Sequence, residues 1–129
     1  MGIRYDSRNN FGKVVLDTSP YASANTLKIS GQSLKGYRVD LCVTEAGAGL
    51  TSAVLKLQGS TDNSTWVDLA SSKSFAAAKI AVQSGAPLAS ISIPDECENY
   101  TYFRVLGVPT GTATAGEIDC LLNCYTGIR

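Results

Sequence analysis

Residues 57–69, LQGSTDNSTWVDL, decide the reading of this chain, because they fit either two strands joined by a tight turn or a polar loop offered to a ligand beside the only tryptophan. Leu55 and Leu57 end one alternating segment and Val67 and Leu69 occupy the inward positions of the next. Between them STDN supplies turn chemistry, since Asp62 and Asn63 accept backbone hydrogen bonds and tolerate left-handed dihedrals. The stretch therefore reads as a hairpin. Strict alternation then sets Trp66 beside Asp68 on the face opposite Val67 and Leu69, an unusual place for so large an apolar group. Two readings follow for Trp66: it packs along a sandwich edge under a loop, or it anchors a protein contact, a role in which tryptophan is enriched.

Outward from the hairpin the period remains two. YRVDLCVT (37–44) alternates Tyr37, Val39, Leu41 and Val43 against Arg38, Asp40 and Cys42, and LASISIP (88–94) alternates in the same way. KVVL (13–16), TLKIS (26–30), AVLKLQG (53–59), TWVDLA (65–70), YTYFRVLGV (100–108) and EIDCLLNCY (117–125) complete about eight strands, separated by Gly, Ser, Asn and Pro clusters. This pattern predicts an all-β, single-domain antiparallel β-sandwich of jelly-roll type, with residues 1–12 as an N-terminal arm and 13–129 as the sandwich. SKSFAAAKIAVQ (72–83) reads as a connecting segment, and GTATAGE (111–117) as a flexible lead into the last strand.

The chain has 129 residues, enough to bury a core without metal or disulfide support. Its 11 Lys and Arg balance its 11 Asp and Glu, and neither sign collects in a block, which argues against nucleic acid and anionic membrane as partners. No apolar run approaches the ~20 residues that span a bilayer, and MGIRYDSRNN lacks the apolar segment of a signal peptide, so a soluble cytosolic product is expected.

There is no histidine, so no Ser-His-Asp or Cys-His constellation can be drawn, and no enzyme activity or cofactor is expected. Asp95, Glu96 and Glu98 lack the loop spacing of a calcium site and read as a solvated turn. The triplets NST (63–65) and NYT (99–101) fit a glycosylation pattern without an accompanying export signal. Cys120 and Cys124 in one straight strand stand about 13 Å apart, beyond the roughly 4.4–6.8 Å a disulfide spans. Alternation groups them with Ile118 and Leu122 as buried thiols, while Cys42 and Cys97 are isolated and no C-x-x-C pair suggests zinc.

The order of these pieces resembles the jelly-roll capsid cement (stabilisation or decoration) proteins of tailed bacteriophages. The resemblance rests on an arm ending in phenylalanine (MGIRYDSRNNF), the Leu-x-Leu-Gln hairpin over Leu55 to Asp62, the glycine and I-x-I-P strand over Gly85 to Pro94, the aromatic-x-Arg strand from Tyr102 to Val105, and the TAG of Thr114 to Gly116. It covers nearly the whole chain; the four cysteines and the Asp95 to Glu98 cluster depart from it. The resemblance implies a structural virion protein on the capsid exterior, assembled in the host cytoplasm. Its partners would be the major capsid protein and copies of itself, most simply as a homodimer and alternatively as a trimer. Candidate contact residues are Ile3, Tyr5 and Phe11 on the arm, together with Trp66. The rival expectation is a carbohydrate- or receptor-binding module of a phage tail or adhesin, with Tyr100, Tyr102, Trp66 and Tyr125 as the outward aromatics.

Overall fold

A strand of 24 residues drawn straight would run about 80 Å, whereas a domain of this size has a radius of gyration of about 14 Å. Any long strand here has to bend. The computed structural model describes residues 10–17, 19–34, 36–82 and 87–124, and contains two such strands. In chain order the elements are β1 (Gly12–Val15), β2 (Tyr21–Ala22), β3 (Leu27–Lys28), a single helical turn α1 (Gly31–Leu34), β4 (Tyr37–Ser60), β5 (Val67–Ser71), β6 (Phe75–Ala76), β7 (Ala89–Ser92) and β8 (Tyr102–Cys124), with 3-10 turns at Ala77–Lys79 and Asp95–Asn99. The protein is an all-β single domain, one antiparallel sheet in the order β1-β8-β4-β5, with β2 and β3 paired to β8 and β6 and β7 paired to β4.

Strands β4 and β8 pair along their whole length, from Tyr37 opposite Cys124 to Ser60 opposite Tyr102. The segments 37–44 and 53–59, expected as separate strands, are thus one, and the expected strands 100–108 and 117–125 are joined in β8 over Tyr102–Cys124. GTATAGE is not a loose lead but the bent middle of β8. The bend lies where the register slips, at four places between Val43 and Ser52. Gly49 adopts a φ of 79° there, and a β-carbon on it would stand 2.5 Å from the Thr112 carbonyl oxygen, so neither the dihedral nor the space admits a side chain. Across the bend the Glu45 carboxylate accepts the Gly116 N–H at 3.1 Å and Thr44 Oγ1 donates to the Glu117 carbonyl at 3.2 Å, closing polar groups that the slipped ladder leaves over.

Bending divides the sheet into two halves that face each other. In the first, β7, residues 37–43 of β4, residues 118–124 of β8 and β1 turn Val39, Leu41, Val43, Ile91, Ile118, Cys120, Leu122 and Val14 inward. In the second, β5, residues 52–60 of β4, residues 102–110 of β8, and β2 and β3 contribute Ala53, Leu55, Leu57, Phe103, Val105 and Leu27 to the same core. The layers touch closely: a β-carbon on Gly107 of the second half would meet Val14 Cγ1 of the first at 2.5 Å. Phe11, expected on the arm, is fully buried in this core and Gly12 already pairs in β1, so the domain starts before residue 13. Cys97 and Cys120 are buried and free, and burial raises both thiols, Cys97 to about 11. Cys42 is half-buried, and the side chain of Cys124 lies outside the described residues.

Candidate functional site

The hairpin stands as read. β4 ends at Ser60, residues 61–65 turn, and β5 returns with Gly59 opposite Val67 and Gln58 opposite Asp68. Asp62 closes the turn: one of its carboxylate oxygens accepts the Ser60 hydroxyl at 2.9 Å and the N–H groups of Ser64 and Thr65 at 2.9 and 2.8 Å. These donors, the Thr65 N–H first, hold its pKa down at about 2. Asn63 takes the left-handed dihedral, with φ of 62°. Asp62 and Asn63 are turn formers.

Alternation of β4 and β8 sends Lys56, Gln58 and Ser60, and Tyr102, Arg104 and Leu106, to the outer face of the second half, and register places Arg104, Gln58 and Asp68 in one row across three strands. Arg104 Nε donates to Gln58 Oε1 at 2.8 Å, Gln58 Nε2 donates to Asp68 Oδ1 at 2.8 Å, and Lys56 Nζ donates to Asp68 Oδ2 at 3.2 Å. An arginine offers only donors and a carboxylate only acceptors, so the Gln58 amide has one orientation that serves both. The Gln58 hydrogen bond, with that of Lys56 behind it, lowers the Asp68 pKa.

Trp66 closes the row. The Arg104 guanidinium lies over its ring at 4.4 Å from the centroid, and the ring is half-buried. Trp66 is thus on the outer face, as alternation implied, and what partners it there is a cation. The β5 pairing slips by one residue between Asp68 and Ala70, which leaves Leu69 as a bulge half-buried against the core. Val67, expected inward, remains 43% exposed, because β5 is the edge of the sheet and the opposite layer does not cover it there. Lys28 sits over the Tyr102 ring at 5.8 Å. Tyr100 is not outward: it packs on the core, where a β-carbon on Gly59 would stand 3.0 Å from its ring. Ile3, Tyr5 and Tyr125 lie outside the described residues.

The outer face of the first half has a different character. Asp40, 4% exposed, accepts from the Ser90 hydroxyl and the Asn123 amide and pairs with Arg38 Nε at 3.0 Å. Beside it, burial first and then Asp40 and Asp119 raise the Cys42 thiol, and burial raises Asp119. Asp95, Glu96 and Glu98 form an exposed 3-10 turn, with Glu98 accepting from Gln32 at 3.2 Å. Among the described residues no three His, Cys, Asp or Glu side chains gather as metal ligands, and no helix is long and apolar enough to cross a membrane. In the sequence Gln58 and Arg104 figure only within the motifs of the resemblance and not as contact candidates; 46 residues separate them, and only register joins them.

Fold and face define a small all-β module carrying an ordered aromatic and cationic row on one outer surface. Residues 13–122 match the Bbp16 family, and the chain belongs to it. No curated protein matches the chain.

Proposed function

We propose that this protein is a structural virion component, a capsid cement protein that binds the outside of a phage capsid and holds neighbouring major capsid protein subunits together. The observation that carries the reading is the Trp66 and Arg104 stack, fixed on a sheet face by Gln58 and Asp68. Tryptophan and arginine are the residues most enriched at the energetic centres of protein interfaces, and a sheet holds them at little further cost in entropy. The ordered strand motifs shared with cement proteins support the same reading. The depression beside the row, lined by Lys56, Asp68, Leu69, Ala70 and Ser71, is open and shallow rather than an enclosed cleft, which suits a protein partner. The role is mechanical, with no chemistry and no cofactor. A capsid strained by internal pressure is held by many modest contacts, and repeated copies, most simply homodimers, add strength by multivalency.

Sugar recognition is the weaker reading, since Trp66 and Tyr102 each carry a cation over the ring where a sugar would stack. Co-sedimentation of the purified protein with empty capsids of its phage tests the proposal. Saturable, stoichiometric binding is expected, with density outside the shell in cryo-electron microscopy; a bare shell at saturating protein would end it.

A further inference from the structure

The geometry points to Arg104 as a preformed receptor for a carboxylate on the protein partner, an aspartate or glutamate side chain gripped by the two terminal guanidinium nitrogens. The inference rests on the reading of the face as a protein-binding surface and names the chemistry it takes.

Arginine carries five N–H donors in a planar fork. In Arg104 the Nε–H is used by Gln58 Oε1 at 2.8 Å, and one side of the plane rests on Trp66. The terminal nitrogens have no hydrogen-bond partner among the described residues. The carboxylate in its own row is already engaged, since Asp68 gives one oxygen to Gln58 and the other to Lys56. Gln58 thus links the two at a distance: it aligns the guanidinium without neutralising it. The guanidinium is held in place with its terminal donors left over.

Charge on the surrounding face selects the ligand. Among the described residues Lys28, Lys56 and Arg104 stand against Asp68 in the row and Asp62 at the turn beside Ser60, so the face keeps a net positive charge that favours an anion although the chain as a whole is neutral. A planar carboxylate matches the planar fork with two parallel hydrogen bonds, and the aromatic ring beside it excludes water from one side. Fixing the guanidinium beforehand removes much of the entropy that binding would otherwise cost.

The test uses the full chain and three probes: acetylated, amidated tetraglutamate, the matching tetraglutamine, and inorganic phosphate. Binding is read from Trp66 fluorescence and from the Arg104 Nε–H resonance. Tetraglutamate should shift both signals saturably, tetraglutamine should shift neither, and phosphate should bind more weakly. Arg104→Lys keeps the charge but loses the fork, and should weaken tetraglutamate by about tenfold; Lys28→Gln should change it by about twofold or less. Equal affinity in R104K, or in Arg104→Gln confirmed as folded by denaturation, would reduce the effect to diffuse charge and overturn the inference, as would tighter binding of phosphate. Capsid co-sedimentation separates this from the broader proposal. Capsid binding that survives in R104Q sinks the Arg104 receptor and leaves the cement function standing. Arg104-dependent peptide binding by a protein that ignores capsids does the reverse.

Discussion

The same two strands, β4 and β8, build both outer faces of this molecule, and they finish them in opposite ways. On the first half the polar row turns in on itself: Asp40 is buried and satisfied by Arg38, Ser90 and Asn123. On the second half the row runs outward through Lys56, Asp68 and Gln58 and ends at Arg104 over Trp66. A buried carboxylate has to be fully paired or it destabilises the fold, whereas a half-exposed arginine with donors left over costs little and remains available. One face is therefore closed on itself, and the other leaves donors available. Substitutions in the two rows should separate these properties.

The largest effect belongs to the closed face. Asp40→Ala leaves the Ser90 hydroxyl and the Asn123 amide without their acceptor and removes the ion pair with Arg38, and should cost about 3 kcal/mol of stability, read from urea denaturation, with capsid binding per folded molecule unchanged. A loss below about 1 kcal/mol would mean that this row is no better closed than the other. On the open face Gln58→Ala removes the link between Arg104 and Asp68 at a site only 7% exposed, and should cost about 1–2 kcal/mol while releasing the guanidinium. Its distinctive sign is the Trp66 emission, which should move toward the red as the stack loosens; an unmoved spectrum would show that Trp66 holds Arg104 unaided. Trp66→Ala should be milder still in stability, about 1 kcal/mol or less, yet it should weaken capsid binding more than either of the others. If binding survives that change, the contrast between the faces has no functional content.

What was legible in the sequence follows from how local its cause is. The turn at Asp62 and Asn63 is set by side chains within three residues, and it was read correctly. The alternation of Val39, Leu41 and Val43, and of Ile118, Cys120 and Leu122, revealed the buried faces because burial imposes the period directly. The middle of β4 hid itself. In TEAGAGLTS the register slips four times and glycines interrupt the pattern, so a continuous strand reads as a gap. Alternation alone points Val67 inward, because it sets the side of the sheet but carries no sign that β5 is its edge. Phe11 reads as the end of a polar segment, while its burial depends on strands far along the chain. The row proposed for contact is the least legible, since Lys56, Asp68, Gln58 and Arg104 are unremarkable polar residues until β4, β5 and β8 are set side by side.

The smallest effect concerns the turn that delivers Trp66 to its face, and it is read from pH. The Asp62 carboxylate is lowered from an ordinary 3.8 to about 2 by the donors it accepts. A depressed acid stabilises the fold above its unfolded pKa and loses that contribution as pH falls through the folded one, so the hairpin should loosen between about pH 4 and pH 2. Asp119 works in the other direction: burial raises its pKa, so its charge opposes folding above that range and protonation relieves it. Acid should therefore weaken the open half while easing the closed one. The amide resonances of Ser64 and Thr65 should titrate with a midpoint near 2, and Asp62→Asn should abolish that titration while keeping the turn, because its amide oxygen can accept the same N–H groups. A midpoint near the ordinary 3.8 would show that Asp62 does not hold the turn. The orientation of Trp66 would then have to come from Arg104 alone.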